Sequence, residues 1–407
     1  MKRTLVFIGG GIETLPGVRL AQTMGLRVVV TDGSAAAPCL AQADHPLLAD
    51  TYNPAATLRV LAAFVQKNGP IHGVLCLGSD VPHTVAQVAE AHHLPGHSIE
   101  TAALAMDKLA MKQRFLAAGV PVPWFAPVAD TAELLAIIRA EGLPLVIKPV
   151  DSRGARGVIR LTSDVDPRWA FQCAQRFSPT GRVMVERYLD GPQISTESMF
   201  IDGSAYTPGF SDRNYERLEQ FAPYFIEDGG QMPSHLPRAA CNRIRDLVGE
   251  AGRALGARNG VVKGDIVWHR QQPYVIELAA RLSGGYFCTH SIPLNTGVPF
   301  VELAIRQAMG EVVQPHELDP RWERFVCQRY LFPSPGEVID VRGADRVSAL
   351  PQIAFLDLRV QPGSVVPAME SHPARAGVLI ATGSSAAAAL KHAEDAVAAL
   401  KITTRPQ

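Results

Sequence analysis

A stretch in the second half of the chain constrains the fold more than any other part. Two apolar runs, 261–268 and 274–279, flank the polar segment 269–273. Runs of this length around a short polar reversal predict two antiparallel strands joined as a hairpin. Each run carries one carboxylate among apolar neighbours, Asp265 in the first and Glu277 in the second. The chain is therefore expected to place two acids on neighbouring strands.

Two carboxylates among apolar residues need compensation, because a buried charge is costly without a cation or hydrogen-bond donors. Arg281 follows the second run closely. Two such acids suit Mg²⁺ and a polyphosphate, since Mg²⁺ takes one or two carboxylates and completes its shell with phosphate oxygens and water. For an isolated hairpin, two solvated acids and a surface arginine are the commoner arrangement. The rest of the chain has to decide between these interpretations.

The overall composition excludes several classes of function. The chain of 407 residues is long enough for two or three domains. It contains 39 Lys and Arg residues against 39 Asp and Glu residues, so no excess charge draws it to nucleic acid or to a membrane surface. The six cysteines lie far apart without a Cys-x-x-Cys pair. That spacing disfavours a zinc site or a disulfide scaffold and suits a reducing compartment.

The sequence shows no targeting or membrane-spanning pattern. The first apolar run ends at glycines after about five residues, which is too short for the apolar region of a signal peptide. No apolar stretch approaches the length of a bilayer span. We therefore expect a soluble cytoplasmic protein without a nucleic-acid or membrane partner.

The N-terminal part alternates between short apolar runs and helical patterns. Strands are predicted at 5–8, 28–30 and 73–77, with helical patterns between and after them. A strand, a glycine-rich turn, a helix and a second strand in this order predict a parallel α/β layer.

Two short patterns in this layer suit a ligand. Gly9-x-Gly11 with Asp32 fits a dinucleotide site, but the third glycine of that fingerprint is missing, so a tight strand-to-helix turn is the preferred interpretation. Ser79 and Asp80 follow the third strand. There they would either contact a ligand at the sheet edge or cap the next helix, and the sequence leaves both roles open.

The middle of the chain carries a capped helix and a basic loop. Asp107 is expected to cap a helix over 107–118, and an apolar strand at 145–147 ends in Lys148. The loop 150–158 then contains a serine, two glycines and two arginines. This composition suits either a phosphate cradle or an ordinary basic hairpin tip.

The remaining segments predict further α+β structure. Asp202-Gly203 indicates a tight hairpin turn, and the polar segment 211–234 is expected to be an irregular functional loop. A long amphipathic helix is predicted at 236–255. Beyond residue 312, several short strands and an alanine-rich helix at 384–400 predict a small third region.

Taken in order, these pieces resemble the ATP-grasp superfamily over nearly the whole chain. Each match is weak by itself, but their order and spacing together are specific. The matches are Asp107-Lys108, Val146-Ile-Lys148-Pro, the loop 152–157, Val185-Glu186 through Gly191, and the hairpin with Asp265, Glu277 and Arg281. The resemblance implies an α/β and α+β architecture of three parts. These are a parallel α/β pre-domain at 1–105, a two-lobed ATP-grasp domain at 106–312 (small lobe near 120–190, large lobe with the hairpin) and a C-terminal α+β region at 313–407.

The resemblance also implies that the chain binds ATP. Two lysines would contact the phosphates as point charges, and the glycine-containing loop would close over them and exclude water. A hinge between the lobes would hold the adenine, and polar residues of the next strand would contact the ribose. The residues so implied are Lys108, Lys148, Ser152, Gly154, Gly157, Glu186, Arg187, Tyr188, Leu189, Gln193 and Glu197.

Metal and substrate roles follow from the same resemblance. Asp265 and Glu277 would ligate Mg²⁺, and Arg281 together with Lys148 would stabilise charge during phosphoryl transfer. The candidates for binding the small-molecule substrates are Arg213, Ser283, Gly284, Gly285 and His290.

The sequence departs from the superfamily pattern at two places. Many relatives have an asparagine two residues after the glutamate of the second strand, where this chain has Ala279, which cannot ligate a metal. A glutamate often follows the Asp-Gly-Pro turn, where this chain has Gln193. Glu197 lies four residues on, on the same predicted strand face, and is a candidate substitute, so the sequence leaves the ribose contact open.

The resemblance to the ATP-grasp superfamily implies a carboxylate–amine ligase. The expected activity joins a small carboxylic acid, such as an amino acid, to an amine through an acyl phosphate, with release of ADP and phosphate. An ATP-dependent carboxylase that uses bicarbonate is the nearest alternative. A nicotinamide-dependent oxidoreductase and a nucleotide-binding regulator without catalysis are the others. A homodimer, the commonest assembly of soluble enzymes, is left open.

Overall fold

The computed structural model describes residues 2–406. Its N-terminal part is a parallel four-stranded sheet in the order β3-β2-β1-β4, flanked by helices. The elements are β1 (Thr4–Ile8), α1 (Leu15–Thr23), β2 (Arg27–Asp32), β3 (His45–Leu48), α2 (Pro54–Asn68), β4 (Gly73–Leu75), α3 (Pro82–Ala91) and α4 (Ile99–Met106). The predicted parallel α/β layer is confirmed, whereas β3 and α4 have no counterpart in the sequence prediction.

A second, antiparallel sheet of four strands follows, in the order β5-β8-β6-β7. The elements are α5 (Lys108–Ala117), β5 (Phe125–Val128), α6 (Thr131–Glu141), β6 (Leu145–Pro149), β7 (Ile159–Leu161), α7 (Pro167–Arg176) and β8 (Val183–Arg187). Asp107 caps α5 as predicted, because its side chain accepts a hydrogen bond of 2.8 Å from the Ala110 amide.

The next segment builds most of an eight-stranded sheet. Its elements are β9 (Gln193–Ile201), β10 (Ser204–Asn214), β11 (Gly229–Met232), α8 (Arg238–Leu255), β12 (Gly260–His269), β13 (Gln272–Ala279), α9 (Ile292–Thr296) and α10 (Phe300–Ala308). The expectation of an irregular loop over the whole of 211–234 is wrong at both ends. Its first residues extend β10 and its last ones form β11, because their amides pair with neighbouring strands of the sheet.

The C-terminal residues complete this sheet and add a smaller one. The elements are β14 (Phe325–Tyr330), β15 (Gly336–Arg342), α11 (Ala344–Ser348), β16 (Ile353–Leu358), β17 (Val365–Val366), β18 (Gly377–Gly383), α12 (Ala386–Ala399) and β19 (Lys401–Arg405). The large sheet runs β13-β12-β9-β10-β11-β14-β18-β16, and β17-β15-β19 form the small one. Strands from the C-terminal region therefore continue the sheet that begins at the carboxylate hairpin.

The hairpin forms as predicted, with a tighter reversal than the sequence suggested. Strands β12 and β13 pair antiparallel, and Asp265 lies directly opposite Glu277. The reversal is only Arg270 and Gln271, both with positive φ (47° and 62°), as in a type I′ turn. Pro273 therefore belongs to the strand. Opposite residues of an antiparallel pair point to the same face, so the two carboxylates share one side of the sheet.

One apolar core connects the three parts of the chain. Phe7 of the N-terminal sheet, Phe300 of α10 and Ile380 of β18 are fully buried members of the same cluster. Burying large side chains between layers is the dominant favourable contribution to folding. Within residues 2–406, no helix is both long enough and apolar enough to cross a bilayer.

Candidate active site

A cavity of about 620 Å³ opens between the two antiparallel sheets and the carboxyl edge of the N-terminal sheet. This volume is typical of a site for a small molecule. Ten lysines and arginines and seven aspartates and glutamates line it. The cavity therefore carries an excess of positive charge, which favours an anionic ligand.

The two hairpin carboxylates face this cavity, and each is paired with cations. Asp265 is 7% exposed, and its Oδ1 forms an ion pair with Nη1 of Arg213 at 2.7 Å and with the Lys263 ammonium. Glu277 lies 3.5 Å from Nζ of Lys108. Burial alone would raise the pKa of Glu277, but Lys108 and neighbouring cations outweigh it and hold the pKa below its usual value. Glu277 is therefore held in its ionised form.

The chemistry of these carboxylates fits Mg²⁺. Among residues 2–406, no group of three or more His, Cys, Asp or Glu side chains is placed to hold a metal. Asp265 and Glu277 can supply two oxygen ligands from one face, which is the protein contribution that Mg²⁺ takes when phosphates and water supply the rest.

A buried ion triad lies on the opposite wall of the cavity. Nζ of Lys148 lies 2.6 Å from Oε1 of Glu186, and Nζ of Lys112 lies 2.9 Å from Oε2 of the same carboxylate. Burial lowers the pKa of Lys112 to about 8. Burial would raise the pKa of Glu186, but Lys112 and Lys148 outweigh it and keep the pKa below its usual value. Both oxygens of the Glu186 carboxylate therefore face ammonium groups of the protein itself.

The sequence reasoning did not identify Lys112. Its side chain is completely buried, although the sequence of α5 does not distinguish it from a lysine that faces water. A lysine four residues after Lys108 shares its helix face, which was the available signal. Only the long-range contact with Glu186 distinguishes Lys112 from a solvated lysine.

The basic loop contacts all three parts of the chain. Nζ of Lys108 donates to the Ser152 carbonyl at 2.7 Å, and Arg153 donates to the Asp80 carbonyl at 3.1 Å. The Arg153 guanidinium also lies 3.9 Å from the ring centre of Tyr52. The Gly154 carbonyl accepts from the His372 amide at 3.1 Å in the C-terminal region. Gly154 and Gly157 have φ of 63° and 71°, which explains why glycine occupies these positions. The loop therefore covers the cavity rather than forming an isolated hairpin tip.

The hinge and the following strand line the same cavity, with one exception. Residues 186–189 and Gln193 contribute to its wall. Glu197 does not, and the expectation that it replaces the ribose contact is wrong. Its fully buried carboxylate accepts from the Ser283 amide at 2.8 Å and from the Ser283 hydroxyl. Burial raises the pKa of Glu197 to about 7.

Arg281 and the N-terminal sheet meet at the far end of the cavity. Its Nε donates to Oδ1 of Asp80 at 2.6 Å. The alternative that Asp80 caps α3 is wrong, because the N-cap residue is Val81 and no side chain caps that helix. Asp32 accepts from the Gly10 amide at 2.7 Å, as suits the tight strand-to-helix turn.

The structure places some of the predicted substrate-binding residues in the cavity and others outside it. Ser283, Gly284 and Gly285 line the cavity, and a Cβ on Gly284 would come within 2.3 Å of Oε2 of Glu13. His290 does not line the cavity, so the prediction that it belongs to the site is wrong. The His290 ring packs instead against Phe355, with ring centres 4.1 Å apart, and burial lowers its pKa to about 4.

Arg213 lines the cavity but is already engaged. It binds Asp265, as described above, and Oε2 of Glu227 at 3.1 Å. Arg375 of the C-terminal region lies 3.5 Å from the same Glu227 oxygen and stacks on Tyr330. Neither arginine therefore has a guanidinium that is free to bind a substrate carboxylate.

Five charged residues of the cavity were missed by the sequence reasoning, namely Glu13, Glu227, Lys263, Arg359 and Arg375. Arg359 binds Oε1 of Glu13 at 2.6 Å, and Oε2 of Glu13 accepts from the Gly285 amide at 2.7 Å. These contacts join residues 346 and 272 positions apart in the chain, so no local sequence pattern indicates them. Lys263 is different, because its position two residues before Asp265 on a strand predicts a shared face.

The comparisons with known proteins agree with this geometry. Residues 105–285 match the family described as ATP-grasp domain, and residues 329–405 match the L-amino acid ligase C-terminal domain 2. An uncharacterized protein, y4rH, of Sinorhizobium fredii is 29% identical over 331 residues, which cover 79% of this chain and 66% of that protein. The D-alanine–D-alanine ligase of Desulforudis audaxviator is 27% identical over 239 residues, which cover 53% of this chain and 69% of that enzyme. The chain thus spans about two thirds of the length of these curated relatives.

Solved structures show the same fold. An L-amino acid ligase from Bacillus licheniformis superposes with a TM-score of 0.83 at 20% identity, covering 99% of both chains. A carboxyaminoimidazole ribonucleotide synthase from Aspergillus clavatus, complexed with ATP, superposes with a TM-score of 0.78 at 16% identity, covering 98% of both chains. At these identities the agreement concerns the fold.

Proposed function

Because this chain carries an ATP-grasp domain followed by an L-amino acid ligase C-terminal domain, we propose that it is an ATP-dependent carboxylate–amine ligase. In the proposed reaction the γ-phosphoryl group of ATP passes to a small carboxylic acid, such as an amino acid, and ADP leaves. The amine of a second substrate then attacks the acyl phosphate. An amide bond forms, and phosphate and a proton are released.

One observation supports this proposal most strongly. Asp265 and Glu277 lie opposite each other on one hairpin, in the same cavity as Lys108, Lys148 and Arg281. Phosphoryl transfer needs little covalent chemistry from the protein. It needs positioning and neutralisation of the charge on the transferred group. Two acids for a metal and three cations for phosphates are the groups that such a reaction uses.

Each of these groups has a distinct role in the proposal. Asp265 and Glu277 would hold Mg²⁺, which when bound neutralises phosphate charge. Lys148 and Lys108 would bind phosphate oxygens from opposite walls of the cavity. Arg281 would stabilise the acyl phosphate, since Asp80 holds its guanidinium at the end of the cavity where the N-terminal sheet meets Gly284.

Exclusion of water is the second requirement. An acyl phosphate exposed to water would be hydrolysed before an amine attacked it. The loop 152–157 covers the cavity through contacts with Asp80, Tyr52 and His372, which belong to the other two parts of the chain. We propose that this loop opens to admit ATP and closes for the reaction.

The substrate end of the cavity supports a small polar acid and an amine. Glycines at 284 and 285 leave backbone exposed there, and Glu13, Asp80 and Arg359 supply charges of both signs. An amino acid has both an ammonium and a carboxylate, so such a lining suits it.

The decisive experiment is a screen for ADP formation. The purified protein is given ATP and Mg²⁺ with pairs of amino acids, with single amino acids and amines, or with bicarbonate, and the products are identified by mass spectrometry. ADP formation that requires an acid–amine pair, with the matching amide as product, is expected. ADP formation with bicarbonate alone would instead indicate a carboxylase, and no nucleotide turnover with any substrate would favour a regulator.

Matched variants connect the activity to the site. Asp265→Asn and Glu277→Gln keep size while removing a metal ligand, and each is expected to lower kcat by at least about 10²-fold. Asp395→Asn is the control, because Asp395 is an exposed acid that pairs with Lys391 and does not line the cavity. Equal activity of all three variants would refute the assignment of the metal site.

Two further parts of the proposal concern the compartment and the oligomeric state of the enzyme. All six cysteines are buried and unpaired in the structure, which supports a reducing compartment, and we propose the cytoplasm. A homodimer is proposed as the assembly, because dimers are the commonest oligomers. Light scattering coupled to size-exclusion chromatography tests the assembly directly.

A further inference from the structure

Next to the two carboxylates of the hairpin lies a second cross-strand pair. Lys263 of β12 is opposite Ala279 of β13, two residues from the Asp265–Glu277 pair on each strand. Side chains two residues apart on a strand share a face. All four side chains line the cavity.

The Lys263 ammonium is held at the carboxylates. Its Nζ contacts Oδ1 of Asp265, and its side chain is only 15% exposed. Lys263 therefore places a positive charge directly beside the carboxylate pair.

The residue opposite Lys263 offers nothing to a metal. The Ala279 side chain is a methyl group, and the pair of carboxylates is the whole set of acidic ligands that the hairpin presents to the cavity. Asp265 is in addition shared between Lys263 and Arg213. Two divalent ions at this place would compete with these cations for two carboxylates, whereas one divalent ion would not require Lys263 to leave.

We propose that the site binds one Mg²⁺ per nucleotide and that the Lys263 ammonium supplies the additional positive charge beside the phosphates that a second divalent ion would bring. This inference rests on the proposed function, since it presupposes that the cavity binds a nucleotide. It concerns the number of metal ions and the role of Lys263, which the proposed function leaves open. An ammonium in a fixed position can neutralise phosphate charge without needing oxygen ligands of its own.

Counting bound Mn²⁺ tests this proposal without relying on turnover. Mn²⁺ substitutes for Mg²⁺, and its free form is measured by electron paramagnetic resonance. The protein is kept in excess over a non-hydrolysable β,γ-methylene analogue of ATP, so that essentially every nucleotide is protein-bound. The wild-type protein and Lys263→Arg, which keeps the charge, are expected to bind one Mn²⁺ per nucleotide.

A double variant is expected to create the missing metal site. Lys263→Met removes the ammonium, and Ala279→Asn adds an amide oxygen opposite it, so the combination should bind two Mn²⁺ per nucleotide. Ala279→Asn alone is expected to bind one, because Lys263 remains. Thermal melting shows whether each variant is folded. If the double variant does not fold, the proposal is tested by comparing the number of Mn²⁺ ions bound per nucleotide by Ala279→Asn and by the wild-type protein.

The outcomes separate this proposal from the one it rests on. Two Mn²⁺ per nucleotide in the wild-type protein, or one in the folded double variant, would overturn the role of Lys263 and leave the proposed ligase intact. Failure of the wild-type protein to bind the nucleotide analogue at all would overturn both.

Discussion

The Nε atom of Arg281 donates to Oδ1 of Asp80 at 2.6 Å, although the two residues lie 201 positions apart in the chain. Burial would lower the pKa of Arg281, but Asp80 outweighs it and raises the pKa above its usual range. The guanidinium is therefore charged and fixed in direction. Asp80, which follows the last strand of the N-terminal sheet, thus orients the cation proposed to stabilise the acyl phosphate.

This relationship predicts a graded loss of activity. Arg281→Met removes the charge and should lower kcat by about 10²-fold or more. Asp80→Asn keeps Arg281 charged but weakens its orientation, so a smaller loss, of about tenfold, is expected mainly in kcat. Steady-state kinetics of both variants, with thermal melts as the folding control, provide the measurement. A larger loss for Asp80→Asn than for Arg281→Met would contradict the positioning role.

The hairpin could be predicted because its information is local. Two apolar runs, a short polar segment between them and one acid in each run all lie within twenty positions, and the structure places Asp265 opposite Glu277. The N-terminal parallel sheet was predictable for the same reason. The contacts of Arg359 with Glu13, and of Lys112 with Glu186, have no such local signature, because each depends on how separate layers pack.

Errors of a second kind came from assigning function to a residue that serves structure. Glu197 shares a strand face with Gln193, as predicted, yet its carboxylate is bound to Ser283 behind the cavity wall. His290 follows the glycines of the site but turns into an aromatic cluster with Phe355. Strand and helix periodicity predict a face, whereas the partner on that face is decided by the tertiary fold.

The buried triad predicts strong coupling between Lys112 and Glu186. Lys112→Met removes one of two cations from a buried carboxylate and should lower the free energy of unfolding by about 3–5 kcal/mol. Combined with Glu186→Gln, the loss should be smaller than the sum of the single losses by more than about 1 kcal/mol. Urea denaturation measures all three variants. The exposed pair Lys391 and Asp395 is the control, and its coupling should stay below about 1 kcal/mol.

The covering loop predicts loss of coupling between ATP cleavage and amide formation. Arg153→Ala removes the contacts with the Asp80 carbonyl and the Tyr52 ring. The loop should then stay open longer, so that water reaches the acyl phosphate. The expected result is a rise in phosphate released per amide formed, measured in one reaction by phosphate assay and mass spectrometry. An unchanged ratio would show that these contacts do not hold the loop closed.

The Glu197 carboxyl predicts a pH-dependent stability. Its pKa of about 7 in the folded protein is above the ordinary value of 4.5, so the folded state binds more protons than the unfolded state between these values. Stability is therefore lost as pH rises from about 4.5 to 7, by about 3 kcal/mol in total, and stays constant above. Glu197→Gln can accept from the Ser283 amide and donate to its hydroxyl. It should stabilise the protein at pH 8 and change little at pH 4.5, which melting curves at the two pH values would show.

The reversal between β12 and β13 predicts a stabilising substitution. Arg270 and Gln271 both have positive φ, which costs a residue with a side chain about 1 kcal/mol, whereas asparagine and glycine adopt such angles readily. Arg270→Asn with Gln271→Gly should therefore raise the free energy of unfolding by about 1 kcal/mol or more. The turn at Asp202 and Gly203 is the internal control, because both residues have positive φ and already suit it. There Gly203→Gln should destabilise the protein by a similar amount. Urea denaturation of both variants measures the two changes in the free energy of unfolding. If backbone conformation sets the stability of these turns, the two changes have opposite signs, and changes of the same sign would contradict this explanation.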